Sequence, residues 1–412
     1  MMVSKIVFGF FIFQITSFVF AKDIVVCASC DLKTPQEAYA VAKDGDRLLI
    51  KSGRYFVQNF TIDKSLDLIG EDLPIFDGQT PQTHIIQINK ANVKIVGIHF
   101  KNAGNSTLND LAAIYVNETE KCYIANNLIE DSFFGIYLAG SKSCTIIDNK
   151  ILGPNRVEFE SGNAIHIWKG EDMNIVNNET TGHRDGIYFE FVSDSRIVGN
   201  KSHHNQRYGL HFMFSNRNEF KKNHFTQNGS GVAVMYSKKI LMEDNVFTDS
   251  WGPAAFGLLL KDISDSTISQ NLINKNTVGI YMEGSNRSQL YENKLIDNGW
   301  AIRLMGNCDD NIFTHNNFKN NTFEASTNSS QNNNKFFQNY WSGYEGYDLD
   351  RDGLGDIPYR PVRLSSVMME KFSFSFLLIK SLFLNIADKA ESLFPSLTPE
   401  TLQDEKPLMQ EL

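Results

Sequence analysis

A glycine or alanine recurs at Ala113, Gly135, Ala164, Gly186, Gly209, Gly231, Gly257, Gly279 and Ala301, in steps of 22 or 23 residues broken by one step of 29 and one of 26. A period of this size makes each repeat one unit stacked on its neighbours, so burial is shared between adjacent units instead of being gathered in one globular core. The residues one and three places after each mark are apolar in all nine repeats, from Ile114 and Val116 to Ile302 and Leu304. Alternation with period two reads as a strand with those positions inward. A second inward position falls eleven after the mark, as at Ile124, Ile146, Ile175 and Ile197. Neither a 3.6-residue apolar spacing nor the leucine spacing of leucine-rich repeats is present. The expected fold is all-β: a right-handed parallel β-helix, a pectin-lyase-like solenoid, with an N-terminal helical cap and a C-terminal helical tail.

Fourteen residues after each of the first eight marks stands an asparagine: Asn127, Asn149, Asn178, Asn200, Asn223, Asn245, Asn271 and Asn293. Side chains one coil apart lie about 4.8 Å from each other, so these amides are expected to hydrogen-bond in a ladder, with asparagine also taking the left-handed corner.

Residues 1–21 read as a signal peptide, with Lys5 before the apolar run Ile6 to Phe20 and a small-residue exit at Ala21. The run is short for a membrane span. The rest divides into a cap and first coils (22–110), regular coils (111–335), an Asp/Gly-rich region (336–362) and an amphipathic helical tail (363–412). Pro35 to Lys43 is the expected capping helix. A net charge of −9 argues against nucleic acid as a partner.

Five cysteines in an exported chain leave at least one outside an internal disulfide. Cys27 and Cys30 form a Cys-x-x-Cys that reads as a disulfide or as a metal or redox pair. Cys122 and Cys144, one coil apart in the same phase, are either bonded or stacked thiols, and Cys308 is the odd one.

Positions two and four after each mark share the strand with the inward pair and are expected to face out. They carry Tyr115, Tyr137, His166, Tyr188 and His211 in one column, and Trp168, Glu190, Met213 and Met235 in the next. A stripe of aromatic, imidazole and thioether groups on a soluble surface marks a contact site, unless a loop or tail covers it. His166, Trp168, Tyr188 and Glu190 are its expected partner contacts. His211, Met213 and Met235, with His203 and His204 on the connection entering that coil, form a soft donor set suited to copper, above all Cu(I). Asp348, Asp350, Asp352 and Asp356 occupy calcium-loop positions one, three, five and nine, with Gly353 at six. Position twelve is Tyr359, so the set reads either as an unusual calcium loop or as a self-hydrogen-bonded turn.

A polysaccharide lyase, hydrolase or epimerase is the rival reading. It needs acids at defined separation, whereas Glu190 and Glu283 are four coils, about 19 Å, apart. Gly182-His183-Arg184-Asp185-Gly186 is the best fragment for such chemistry. In the tail, Phe372 to Ala387 is rich in Phe, Leu and Ile, with Leu378 and Leu382 at helical spacing. It reads as a docking helix for a transporter or bilayer surface, the alternative being a plug for the last coil.

The strings Arg207-Tyr-Gly-Leu-His-Phe-Met-Phe-Ser, Val234-Met-Tyr-Ser-Lys-Lys, Phe256-Gly-Leu-Leu-Leu-Lys-Asp, Asn339-Tyr-Trp-Ser-Gly-Tyr-Glu-Gly-Tyr-Asp and Lys406-Pro-Leu-Met resemble the NosD family of periplasmic maturation proteins of nitrous oxide reductase. The resemblance runs over nearly all of the mature chain. It implies a non-enzymatic β-helix that works with the membrane subunit and ATPase of an ABC transporter, a copper chaperone lipoprotein and the reductase. The Cys27/Cys30 pair is not part of it.

Overall fold

The computed structural model describes residues 21–412 apart from 80–81, 105, 107–108, 155–156, 330, 372–385, 387–390 and 392–401. The expected signal peptide therefore lies almost wholly outside the described residues, and Phe372, Leu378 and Leu382 lie outside them too.

The chain winds as a right-handed parallel β-solenoid of about fourteen turns with three sheets: sheet I of 14 strands, sheet II of 13 and sheet III of 12. One coil is Tyr123–Ala125 in sheet I, Leu128–Glu130 in sheet II and Phe134–Ala139 in sheet III, after which Thr145–Ile147 begins the next turn beneath Tyr123. Every strand pair is parallel and in register, so a residue and its repeat partner stack directly, as Ile114 on Ile136 and Ile136 on Ile165. The inward alternate positions build one continuous core that includes Ile136, Leu138, Phe189, Phe212 and Leu260.

The marks are small for a steric reason. They face the interior at the corner entering sheet III, where a Cβ at Gly231 would stand 2.3 Å from the Gly257 carbonyl oxygen of the next coil. The asparagine ladder forms as expected and extends further. Asn127 Nδ2 donates to Asn149 Oδ1 (2.9 Å), and the relay continues through Asn178, Asn200, Asn223, Asn245, Asn271, Asn293 and Asn316 to Asn339. The left-handed corner, however, belongs to the preceding residue, such as Asn126 (φ 54), Asp148 (φ 54) or Lys222 (φ 56). That turn aims the next amide inward, where it reaches both its neighbour and a backbone carbonyl, as Asn127 Nδ2 reaches Ile95 O at 3.1 Å.

Both ends of the core are covered. At the N-terminal end sits α1 (Pro35–Val41), opened by a capping box in which Thr34 and Glu37 satisfy each other's backbone N–H. At the other end α2 (Leu364–Lys371) packs against the strand Phe323–Ser326, with Val367 on the core, and residues 402–412 form an extended strap, not a helix. Asp404 pairs with Phe336, and Leu408 with Tyr340. The Asp404 carboxylate accepts from Asn339 N (3.0 Å), Asn339 Nδ2 (2.9 Å) and the Trp341 indole (3.0 Å), so it terminates the ladder. The coils thus run on past the expected limit at 335 to Trp341. No helix among the described residues is long and apolar enough to cross a membrane.

Candidate metal and docking face

The long connections gather at one corner, where sheet II hands over to sheet III: 102–111, 153–164 and 249–255. They lead into sheet III, whose outward column is not the open stripe that alternation suggests. Tyr137, Tyr188 and His211 are buried, and so are Ala233 and Leu259. Their own stacking contributes: ring centroids follow one another at 5.3 Å from Tyr115 to Tyr137, 4.5 Å to His166, 4.8 Å to Tyr188 and 5.0 Å to His211. His84 closes over Tyr115, Phe134 over His166, and Tyr208 over His211. Burial, aided by the positive charge of Arg184, pushes the His166 imidazole down to about 3, so it is neutral at ordinary pH.

His211 is therefore not an open copper ligand. Only 4% of it is exposed, and its Nδ1 lies 3.6 Å from Asp185 Oδ2 and 3.3 Å from Arg207 Nη2. Asp185 is fully buried and takes Arg207 through two hydrogen bonds, 2.9 and 2.5 Å, and the Tyr208 N–H at 3.1 Å. Burial alone would raise this carboxyl, but Arg207 and His211 outweigh it and hold the group at about 2. The Asp185 fragment singled out for sugar chemistry is thus a locked ion network. Its neighbour His183 is wholly buried, and desolvation takes that imidazole down to about 4.

His203 and His204 belong to another face. His203 ends a sheet II strand and holds Glu179 at 3.1 Å, while its Nδ1 lies 2.8 Å from that of His204, a residue in the left-handed corner (φ 52). They do not join His211. They enter the same coil as His211 along the chain, but the II-to-III corner turns the chain between them.

What the fold does bring together is the column four after the mark. Glu190, Met213 and Met235 are register partners on three successive coils, all half-buried. Tyr188 Oη lies 3.5 Å from Met213 Sδ and 3.5 Å from Glu190 Oε2. Two stacked thioethers beside a carboxylate and a phenol make a soft, solvent-reachable donor group that favours Cu(I) over hard cations. Trp168 continues the column one coil earlier, half-buried, with the Lys169 ammonium 4.2 Å from its ring centroid.

Beside this column runs a feature missed in the sequence. Phe191, Phe214 and Tyr236 stack at 5.2 and 5.0 Å with nearly parallel rings, and are 48%, 39% and 42% exposed. Their signal was position five after three consecutive marks. All three have positive φ (55, 50 and 52), a strained choice for bulky side chains.

Asp348, Asp350 and Asp352 do converge, with ligand oxygens within 4.8 Å of one another, and are the one such His/Cys/Asp/Glu group among the described residues. Much of their acceptor capacity serves the turn itself: Asp348 takes the N–H of Asp352 and Gly353, and Asp352 that of Leu354. Asp356 turns to the Leu349 N–H at 2.7 Å instead. Glu283, the distant acid of the enzyme reading, lies 3.6 Å from Lys261.

The outward face of this β-helix thus holds a thioether column and an ion network. Residues 153–346 match the family model described as periplasmic copper-binding protein (NosD). The chain is 26% identical over 395 residues to a probable ABC transporter binding protein NosD of Pseudomonas aeruginosa, covering 91% of each. It is also 26% identical over 387 residues to the protein of that name in Stutzerimonas stutzeri, covering 89% of this chain and 87% of the relative. Over residues 153–346 by the family model, and over most of its length by these two relatives, the chain is similar to the NosD family. Among solved structures, the A-module of an Azotobacter vinelandii mannuronan C-5 epimerase superposes with TM-score 0.54 at 14% identity, over 74% of this chain and 87% of that one. The catalytic domain of a GH87 α-1,3-glucanase gives 0.56 at 10%, over 78% and 69%. At such identities the likeness concerns the fold alone.

Proposed function

We propose that this chain is a non-enzymatic periplasmic platform that handles Cu(I) during assembly of the copper sites of nitrous oxide reductase. The observation that carries this reading is the half-buried Glu190, Met213 and Met235 column with Tyr188 against it. Met213 and Met235 would hold the ion by their sulfurs, with Glu190 supplying negative charge. The family description as a periplasmic copper-binding protein supports the cargo, and the relatives' name as ABC transporter binding proteins supports a transporter as partner. In this reading the transporter's membrane subunit and ATPase anchor the platform to the membrane. A copper chaperone lipoprotein and the apo-reductase engage sheet III around Trp168, Glu190 and the adjoining rings. His166 and Tyr188 support that surface from beneath, and Phe372, Leu378 and Leu382 would dock the tail. Anaerobic titration of the mature chain with a Cu(I)–bathocuproine complex tests the reading: competitive withdrawal of copper by the protein is expected, and none would end it.

Calcium at Asp348, Asp350 and Asp352 is a separate part of the proposal. The strap binds this turn, since Gly355 N donates to Pro407 O (2.7 Å) and Met409 N to Gly353 O (3.1 Å), so a bound ion would stiffen the closed end. Added Ca²⁺ is expected to raise the melting temperature and EDTA to return it. Identical melting in both leaves only a hydrogen-bonded turn.

A further inference from the structure

The two disulfides of this chain are built for different purposes. Cys122 and Cys144 are buried register neighbours one coil apart, with Cα atoms 4.6 Å from each other inside the core. Cys27 and Cys30 are bonded across an exposed turn at the end of the first strand, Asp23–Val26, with Ala28 and Ser29 exposed between them. Both of these cysteines are half-exposed, so an external thiol can reach them.

This second bond does little for the cap it adjoins. It closes the shortest loop a Cys-x-x-Cys allows, and short loops remove the least chain entropy. The cap is already secured without it. Ile24, Val26 and Ala38 are in the core, the first strand pairs fully with Arg47–Ile50, and Lys64 Nζ holds the carbonyls of Tyr39 in α1 (2.7 Å) and of its C-cap Ala42 (2.9 Å). The turn also holds its shape by backbone bonds, Cys30 N to Cys27 O at 3.1 Å and Cys27 N to Leu32 O at 3.3 Å. The two sulfur positions would therefore stay together after reduction. The Ser29 hydroxyl, 3.4 Å from Cys27 Sγ, is placed to donate to a thiolate.

We infer that Cys27 and Cys30 form a redox-gated second Cu(I) site, closed as the disulfide and open as the dithiol. The cargo rests on the copper reading above; the site itself does not use the thioether column. An external dithiol passes two electrons and two protons to the Cys27–Cys30 bond, becoming a disulfide while the chain gains two thiols. Capture of one Cu(I) then forms two sulfur–copper bonds and releases both thiol protons to solvent. Thiolates from one turn suit a soft monovalent ion of this kind.

The test is an anaerobic Cu(I)–bathocuproine titration of the full mature chain before and after treatment with a phosphine reductant, on wild type, Cys27→Ser/Cys30→Ser and Met213→Ala/Met235→Ala. Reduction is expected to add one equivalent of copper with X-ray absorption showing sulfur-only ligation. That equivalent should vanish in the cysteine variant, whose circular dichroism should match wild type, and persist in the methionine variant. Equal stoichiometry before and after reduction, with thiol counting confirming that the pair opened, overturns the inference while leaving the thioether column standing. An added equivalent that survives in the cysteine variant also overturns it. Loss of copper from every form overturns the copper reading itself. Should the double variant misfold, alkylation of the reduced wild-type pair gives the same comparison.

Discussion

Replacing Met213 and Met235 together by alanine is expected to lower Cu(I) affinity by at least about 100-fold while leaving the melting temperature within a few degrees of wild type. Loss of an outer-shell partner alone costs about 10–100-fold in metal affinity, and here two ligands themselves are removed. Small stability effects follow from position: both side chains are half-buried on the outward face, and neither belongs to the core cluster. The change should also stop copper loading of the reductase in a reconstituted assay. Glu190→Gln is expected to weaken binding less, since it removes charge and keeps an oxygen donor. His211→Ala gives the discriminating result. Because His211 is buried against Asp185 and Arg207, its loss should cost stability before it costs copper. Wild-type copper affinity in the methionine variant would remove this face from the mechanism.

Asp185→Ala is expected to be the most destabilising single change on this face, by about 3–5 kcal/mol, because it strands the half-buried Arg207 guanidinium without its carboxylate. Urea unfolding measures it directly. The pH dependence follows from the same group. Its folded pKa, about 2, lies below the ordinary 3.8, so the stability it contributes is present above about pH 4 and is lost as pH falls toward 2. A shift of that size corresponds to roughly 2 kcal/mol, and the Asp185→Ala chain should lack that part of the acid limb. An unchanged acid limb would mean that Asp185 is not ionised against Arg207 in the folded state.

The solenoid was legible because its rules are local and repeated: small marks at a crowded corner, period-two apolar pairs, an amide every coil. The same logic, pushed further, would have found the Asp185 and Arg207 pair, since 22 residues separate them and 22 residues make one coil. Exposure was not legible. Outward parity shows where Tyr137, Tyr188 and His211 point, but not that rings stacked one coil apart shield each other. His203 and His204 were misplaced because proximity along the chain says nothing of a corner in between. The strap's role escaped notice because Asp404 meets Asn339 across 65 residues that follow no period.

The asparagine column has a direction. Every amide hands its hydrogen toward the C-terminal end, so an internal coil may be copied or deleted and the line of donors simply re-joins. The final donor has no such freedom, since only an acceptor arriving from outside the repeat can receive it, and Asp404 is that acceptor. Evolution can therefore lengthen or shorten this rod in its middle at small cost, whereas the stopper at its far end has to be kept.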